Sequence, residues 1–82
     1  MKKGKSVWVY YSVNAPDELY DRLIKKAVNM GGEYEGGGVC LGQKPERDVS
    51  FGFSDPHAAR RFSKLVRKWK SVHRIETVTN DE

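Results

Sequence analysis

The sequence predicts an α+β fold in which strands and helices follow one another in the order β-α-β-β-α-β. Three observations support this prediction: an alternating aromatic strand pattern over residues 7–13, a second alternating pattern that ends at residue 53, and two amphipathic helix patterns that each begin near a proline. Two helices that alternate with four strands in this order pack on one face of an antiparallel sheet. We therefore expect a ferredoxin-like sandwich with the first and third strands in the centre of the sheet.

The first strand and the first helix are predicted from the spacing of apolar residues. Residues 7–13 (VWVYYSV) alternate between two faces, as a half-buried strand does. A helix is expected to begin at residues 14–17 (NAPD), because proline suits the first helical turn and acidic residues favour its positive end. Two glycines follow the helix and are typical of helix ends. The apolar stripe of this helix consists of Leu19, Leu23, Ala27 and Met30.

The second half of the chain is less regular. In residues 31–38 (GGEYEGGG), the three consecutive glycines at 36–38 weaken a strand prediction and favour a bulge or a turn. We expect an irregular second strand over about residues 34–41, a hairpin loop at residues 43–47, and then the third strand. Asp55 is the expected N-cap of the second helix, with a proline at the first helical position. A last strand over about residues 72–78 closes the fold.

The inward faces of these elements predict one hydrophobic core. In the first strand, burial of Val9 and its alternate neighbours leaves Trp8 and Tyr10 on the open face of the sheet. In the second helix, the apolar residues share one face. The expected core residues are Val9, Tyr11, Leu19, Leu23, Ala27, Phe51, Phe53, Phe62, Leu65 and Trp69.

Length and composition indicate one small domain. The 82 residues include 38% hydrophobic and 11% aromatic residues, which is typical of a folded chain. We expect a single domain over residues 1–82, with a basic tail at residues 1–5 and a second tail at residues 79–82. The single cysteine excludes an internal disulfide, and the sequence contains no apolar signal or membrane segment. A cytoplasmic protein that does not associate with membranes is expected.

No pattern in the sequence predicts catalysis, a metal site or a small-molecule cofactor. His57, His73 and Cys40 lack the spacing of a metal-binding set. The glycine-rich residues 31–38 precede a strand and carry two glutamates, whereas a phosphate-binding loop precedes a helix and carries a lysine. No carboxylate pair or activated nucleophile is evident. We therefore expect a binding protein that is not an enzyme.

Basic residues are concentrated in the second helix. The net charge is +4, with 15 basic and 11 acidic residues, which is compatible with a nucleic-acid or an acidic protein partner. At about 100° per residue, five cations of this helix fall within one arc, which either contacts phosphates or forms a solvated outer face. These cations are Arg60, Arg61, Lys64, Arg67 and Lys68.

The open face of the sheet is the second candidate surface. Trp8 and Tyr10 can stack on bases there, with Arg74 of the last strand adding positive charge. The same aromatic residues can instead form a protein or homodimer interface, or Trp8 can fill the gap above Gly52. Because the basic helix face points the other way, one strand of nucleic acid cannot easily use both surfaces.

Two segments resemble RNA-recognition-motif domains. Residues 51–61 (FGFSDPHAARR) look like the end of the third strand and the start of the second helix in that family. Residues 7–12 (VWVYYS) are similar to its first-strand motif, with Trp8 at the stacking position. The resemblance implies the ferredoxin-like fold and RNA binding. The third-strand stacking positions hold Asp48 and Ser50 instead of aromatic residues, so the resemblance supports the fold more than it supports RNA binding.

These observations lead to two functional predictions. The first is a nucleic-acid-binding module, with RNA favoured over DNA. The alternative is a protein-interaction module, such as a homodimeric adaptor or inhibitor that uses the open sheet face. The candidate nucleic-acid-binding residues are Trp8, Tyr10, Arg60, Arg61, Lys64, Arg67, Lys68 and Arg74.

Overall fold

The computed structural model describes residues 4–40 and 45–80 of the chain. They form β1 (Gly4–Ser12), α1 (Asp17–Asn29), β2 (Gly32–Cys40), β3 (Glu46–Phe53), α2 (Pro56–Val66) and β4 (Val72–Asn80). The strands build one antiparallel sheet in the order β2-β3-β1-β4. Both helices pack on the same side of this sheet. The predicted ferredoxin-like α+β fold, with β1 and β3 in the centre, is thereby confirmed.

The pairing of β1 with β3 decides which side chains enter the core. Val9 pairs with Val49 and both are fully buried, whereas Trp8 pairs with Ser50 on the opposite face. Alternate residues of paired strands point to the same side, so the apolar set of each central strand meets the helices. The buried apolar residues are Val7, Val9, Tyr11, Leu19, Leu23, Ala27, Val49, Phe51, Phe53, Ala58, Ala59, Phe62 and Val66.

Two residues that the sequence places in the core lie at its rim. Leu65 is 40% exposed, and Trp69 is only partly buried against the edge of the core. The buried stripe of α2 passes through Phe62 and Val66, which leaves Leu65 at the side of the helix. The helix also ends at Val66, so its periodicity does not extend to Trp69. The core prediction is therefore wrong for Leu65 and too strong for Trp69.

The strand β2 begins earlier than predicted and is irregular. It covers Gly32–Cys40 instead of residues 34–41, and its pairing with β3 shifts register between Tyr34 and Gly36. Gly36 has a φ of 154°, a backbone conformation that L side chains rarely adopt. The glycine-rich segment therefore forms the irregular strand that the sequence indicates, because glycine tolerates a bulge.

The sheet is longer at its ends than predicted. Glu46 and Arg47, which the sequence assigns to the hairpin loop, belong to β3 and pair with the end of β1. Lys5 and Thr79, which it assigns to the terminal tails, pair with each other across β1 and β4. Backbone ladders need no apolar side chains, so strands continue beyond the apolar alternation. The parts of the predicted strand and loop at residues 41–44 lie outside the described residues.

The second helix begins at the predicted cap. A side-chain oxygen of Asp55 (Oδ1) accepts a hydrogen bond from the backbone N–H of His57 at 2.9 Å. Pro56 occupies the first helical position, where no N–H is needed. The cap satisfies one of the backbone donors that every helix start leaves free.

Replacement of the cap residue is expected to weaken the fold measurably. Asp55→Ala should lower the free energy of unfolding by about 1 kcal/mol, because the N–H of His57 then loses its partner. Urea denaturation followed by circular dichroism measures this change. Ser54→Ala, which alters the exposed preceding residue, is the control and should have no effect. An equal loss in both variants would contradict the capping role of Asp55.

Neither helix of the described chain is suited to crossing a lipid bilayer. The helix α1 has 13 residues and α2 has 11, whereas a membrane-spanning helix needs about 20 predominantly apolar residues.

Candidate functional site

The fold separates the predicted site residues onto two opposite surfaces. Trp8, Tyr10 and Arg74 lie on the side of the sheet that the helices leave open, which we call the sheet face. The five predicted cations of α2 and the turn after it lie on the outer side of the helices, which we call the helix face. The structure therefore does not bring the eight residues together into one site.

Trp8 lies among small and acidic residues on the sheet face. It pairs with Ser50 of β3 and Glu76 of β4, and it is partly exposed. The gap above Gly52, which the sequence allowed Trp8 to fill, is occupied by Glu35. A Cβ atom added to Gly52 would lie 2.6 Å from Glu35 Oε2. Part of the Trp8 side chain thus remains exposed at the surface.

Tyr10 and Arg74 contact each other and two carboxylates. The guanidinium carbon of Arg74 lies 4.0 Å from the centroid of the Tyr10 ring, which is a cation–π contact. Arg74 Nη1 donates a hydrogen bond to Glu76 Oε2 at 2.9 Å, and Arg74 Nη2 lies 3.5 Å from Glu46 Oε1. The Tyr10 hydroxyl donates to Glu76 Oε1 at 3.0 Å. Base stacking on Tyr10 or phosphate binding by Arg74 would have to compete with these contacts.

The sheet face is predominantly acidic. Its two described basic groups are Arg74 and His73, and His73 Nδ1 lies 2.8 Å from Glu46 Oε2. The hydrogen bond with His73, followed by the nearby charge of Arg74, lowers the pKa of Glu46, so this carboxylate is ionised at neutral pH. A negatively charged surface repels phosphate groups. The carboxylates on it are Glu33, Glu35, Glu46, Asp48 and Glu76.

The part of the helix face formed by α2 and the turn after it, in contrast, is basic. The five predicted cations are all exposed, and none of them forms an ion pair with another residue of the ranges 4–40 and 45–80. The helix α2 contains no acidic residue. The charge of the five cations is therefore not neutralised by contacts in the described part of the domain. The residues are Arg60, Arg61, Lys64, Arg67 and Lys68.

Three of these cations line a cavity between α2 and the sheet. The cavity has a volume of about 280 Å³ and is also lined by Lys5 of β1. Sequence reasoning missed Lys5, although it precedes buried Val7 by two residues and therefore lies on the inner side of β1. Four cations around one small cavity can bind a phosphate group. The lining residues are Lys5, Arg60, Ser63, Lys64, Arg67 and Thr77.

A further set of cations lines the groove between the two helices, which we call the α1–α2 groove. Arg22, Lys25 and Lys26 of α1 face Leu65 and Trp69 across it. The guanidinium carbon of Arg22 lies 4.8 Å from the centroid of the Trp69 ring. Sequence reasoning missed these three cations. Their i, i+3, i+4 spacing places them on one side of α1, but the acidic residues in the same helix obscured the pattern.

A cluster of tyrosines packs beside Arg47 of β3. The Tyr20 hydroxyl donates a hydrogen bond to the Tyr34 hydroxyl at 2.6 Å, and this bond, with burial, raises the pKa of Tyr20 to about 12. The guanidinium carbon of Arg47 lies 5.7 Å from the ring centroids of both Tyr11 and Tyr20. Burial is the main cause that raises the pKa of Tyr11. The phenols whose pKa is raised stay protonated at neutral pH and supply no nucleophile.

Removal of the hydroxyl that accepts this hydrogen bond should change the titration of Tyr20. Tyr34→Phe is expected to lower the pKa of Tyr20 from about 12 towards its usual value of 10.0. Because the folded pKa is raised, the linked stabilisation is present below about pH 10 and is lost as the pH rises through 12. Tyrosinate absorbance against pH measures the shift, with Tyr10→Phe as the control. An unchanged high-pH titration in Tyr34→Phe would contradict the assignment.

The described side chains contain no group of three or more metal-ligating residues that could hold an ion. His57 lies in the first turn of α2 and is exposed, and His73 pairs with Glu46 on the sheet face. The absence of a metal, of a cofactor and of catalysis stays a prediction from the sequence.

Comparisons with known proteins find similar structures but no similar sequence. No protein-family model matches the chain, and a search of curated proteins finds no match. The C-terminal domain of the MgtC protein from Mycobacterium tuberculosis has a TM-score of 0.69 at 8% identity, over 96% of this chain and 88% of that one. The ACT domain from the GTP pyrophosphokinase of Chlorobium tepidum has a TM-score of 0.63 at 5% identity, over 95% and 100%.

Two further structures show how little the fold says about function. LarC2, the C-terminal domain of a cyclometallase involved in the synthesis of the NPN cofactor of lactate racemase, has a TM-score of 0.66 at 9% identity, over 94% of this chain and 54% of that one. The de novo designed protein Foldit4 has a TM-score of 0.61 at 11% identity, over 100% and 99%. Since a designed protein shares the fold with natural domains that differ in name and role, these similarities establish the ferredoxin-like fold alone.

Proposed function

We propose that this protein is a non-enzymatic nucleic-acid-binding module that contacts the phosphate backbone with its helix face. The observation that supports this proposal most directly is the set of five exposed cations in α2 and the turn after it, which form no ion pairs among the described residues. Lys5 extends this set into a cavity that suits a phosphate group. Contacts from Lys and Arg to phosphates supply essentially all of the affinity of non-specific nucleic-acid binding. RNA is favoured over DNA only by the sequence resemblance, which itself implies stacking on the sheet face and not contacts from the helices.

The distribution of charge favours the helix face over the sheet face. The base-stacking roles predicted for Trp8 and Tyr10 are worth about 1–3 kcal/mol per base in proteins that use them. Two like charges about 4 Å apart repel by about 1 kcal/mol in bulk water and by about 4 kcal/mol near a protein surface. The described sheet face carries more carboxylates than basic groups, so its net charge opposes a phosphate and offsets part of the gain from stacking.

A solvated outer face is the main alternative explanation for the helix-face cations. Such faces normally mix both signs of charge, but residues 56–70 contain six cations and no carboxylate. Within α2, Lys64 follows Arg60 by four residues. Like charges at this spacing destabilise a helix by about 0.2–0.5 kcal/mol per pair. A bound phosphate would relieve the repulsion that remains after screening by water.

The salt dependence of oligonucleotide binding tests the proposal. Fluorescence anisotropy with labelled RNA and DNA oligonucleotides, single-stranded and duplex, gives the dissociation constant between about 50 and 200 mM salt. With five phosphate contacts, the logarithmic slope for a single strand is about −3.5, which is a loss of about 100-fold in affinity over this range. The absence of binding at the lowest salt concentration would overturn the proposal.

Two arginine variants decide which face carries the contacts. Arg61→Gln on the helix face should weaken binding and reduce the salt slope by about 0.7 for a single strand. Arg74→Gln on the sheet face removes the same residue type and the same charge, and it should leave the slope unchanged. An effect of Arg74→Gln as large as that of Arg61→Gln would show that the helix face is not the main contact surface.

A second candidate function, protein interaction through the sheet face, is favoured by the exposed apolar surface there. Val78 is 49% exposed and pairs with Ser6, which places it on the same side as Trp8. A small protein can cover such a patch with a second copy of itself, although this arrangement brings two acidic sheet faces together. This surface is opposite to the helix face, so the two functions are compatible.

Light scattering over a wide range of protein concentrations tests this second candidate. If the sheet face forms a homodimer, Trp8→Ser should give a monomer. Val28→Ser changes an exposed apolar residue of α1 and should leave the dimer intact. A parent protein that is monomeric at all concentrations would exclude self-association through the sheet face.

A further inference from the structure

We infer that the α1–α2 groove binds unpaired bases, so that the ligand of the helix face is a single strand and not a duplex. This inference rests on the proposed function and specifies the class of its ligand. It follows from three properties of the groove: its apolar floor, the cations on both of its sides, and the small size of its cavities.

The floor of the groove is apolar and accessible. Leu65 is 40% exposed, and it lines two adjoining cavities of about 280 and 330 Å³. Trp69 lines the first cavity and Met30 the second. A stretch of apolar side chains at the centre of a strongly basic surface serves no purpose in phosphate contacts. It does suit the flat, apolar faces of bases.

Cations border this floor on both sides. The first cavity is lined by Arg22, Lys25 and Lys26 of α1, together with Asn29. The second is lined by cations of α2 and its following turn, and neither lining includes a carboxylate. A polyanion whose bases lie in the groove would find positive charge along both helices. The cations of the second lining are Arg61 and Lys64 of α2 and Lys68 of the turn after it.

Trp69 is the residue best placed to stack on a base. Besides the first cavity of the groove, it lines another cavity of about 250 Å³ with Pro16, Leu19 and Lys70, where Glu18 adds one carboxylate beside the cations Arg22 and Lys70. Arg22 lies 4.8 Å from the ring centroid, and an arginine beside an indole ring extends the surface on which a base can stack. A base at Trp69 would thus contact both an aromatic and a cationic group.

The size of the cavities favours a polymer of small planar units. Each has a volume of about 250–330 Å³, close to the lower end of the range of about 300–1,000 Å³ for sites that enclose a drug-sized ligand. The apolar surface is also divided among separate cavities, whereas an amphipathic peptide helix requires one continuous apolar groove. A duplex hides the faces of its bases, so it would leave the apolar floor uncovered.

Fluorescence of variants with a single tryptophan tests the inference. Trp8→Phe leaves Trp69 as the only tryptophan, and Trp69→Phe leaves Trp8. Oligouridylate of about 12 nucleotides, within the range of known single-strand sites, should quench the fluorescence of Trp8→Phe and not that of Trp69→Phe. An RNA duplex of the same length should bind more weakly and should not quench Trp69. Quenching of Trp8 alone would overturn the inference in favour of stacking on the sheet face.

Affinity measurements add a second readout. Trp69→Ala should weaken the binding of oligouridylate by about 5- to 150-fold, as loss of one stacked base does, with little effect on the duplex. Leu65→Ser changes a more exposed residue of the same floor, so it should fold normally and also weaken single-strand binding selectively. Equal losses for single strand and duplex in both variants would overturn the inference.

The outcomes separate this inference from the proposed function. If no oligonucleotide binds at low salt, both fail. If oligonucleotides bind with steep salt dependence but the duplex binds as tightly as the single strand and Trp69 is not quenched, the proposed function stands and the inference is wrong. If poly-glutamate or vesicles with anionic lipid quench Trp69 as strongly as oligouridylate does, the groove recognises a different class of partner and the inference is also wrong.

Discussion

Phe51→Ala is expected to destabilise the protein by about 3–5 kcal/mol and to leave the domain mostly unfolded. Phe51 is fully buried, and its ring centroid lies 5.4 Å from that of Phe62 and 6.2 Å from that of Tyr34. Truncation would leave a cavity between β3 and α2 that close packing cannot easily fill. Total stabilities of about 5–15 kcal/mol are usual, and a domain of 82 residues lies near the lower end.

Leu65→Ala provides the comparison for this experiment. Leu65 belongs to the same predicted core, but it is 40% exposed, so its truncation should cost only about 1 kcal/mol. Urea denaturation of both variants, followed by circular dichroism, measures the difference. Similar losses for Phe51→Ala and Leu65→Ala would mean that α2 packs on the sheet with a different face.

Gly37→Ala should be the second most damaging change, with a loss of about 1–3 kcal/mol. A Cβ atom added to Gly37 would lie 2.7 Å from the backbone carbonyl oxygen of Asp48 on β3. A backbone atom in a paired strand cannot move away without disturbing the ladder between β2 and β3. The extra methyl group must therefore displace part of that ladder.

The neighbouring glycine is a matched control for the same substitution. A Cβ atom added to Gly38 would have only Asp48 Oδ1 nearby, at 3.8 Å, and its backbone conformation is open to L residues. Gly38→Ala should therefore raise the stability by about 0.4–1 kcal/mol, because it restricts the unfolded chain. The midpoint temperature of thermal unfolding, measured for both variants and the parent protein, tests these two expected changes in stability. Destabilisation by Gly38→Ala equal to that by Gly37→Ala would contradict this account of the strand.

The fold could be predicted because local and long-range signals in the sequence agree. The alternation in β1 and β3, and the cap at Asp55, each specify an element and its orientation without knowledge of the rest of the chain. The ends of β2 and β4 could not be predicted, because backbone pairing with a neighbouring strand extends them beyond their apolar residues. Leu65 and Trp69 were misplaced for a similar reason: the angle at which α2 meets the sheet depends on packing.

The sequence predicts the composition of the candidate site, but it does not predict how the fold arranges the residues of that site. Arg60, Arg61 and Lys64 are close in sequence and lie within α2, so helical geometry alone places these three cations on one surface. The network around Arg74 involves Glu46 and Glu76, which come from different strands, and no local pattern relates them. The contribution of Arg22 to the α1–α2 groove likewise depends on how the two helices lie side by side. Long-range pairing thus decides which charged residues remain available to a ligand.

The acidic sheet face and the basic helix face together give the molecule an electric dipole. The described domain measures 38 × 24 × 18 Å, so the two faces are about 18 Å or more apart. The Debye length is about 10 Å at 0.1 M salt and about 30 Å at 0.01 M. Near physiological salt, a polyanion close to the helices is screened from the far carboxylates. In very dilute salt the sheet-face carboxylates also repel the polyanion. The electric field of the polyanion then rotates an approaching protein molecule until its helices face the ligand.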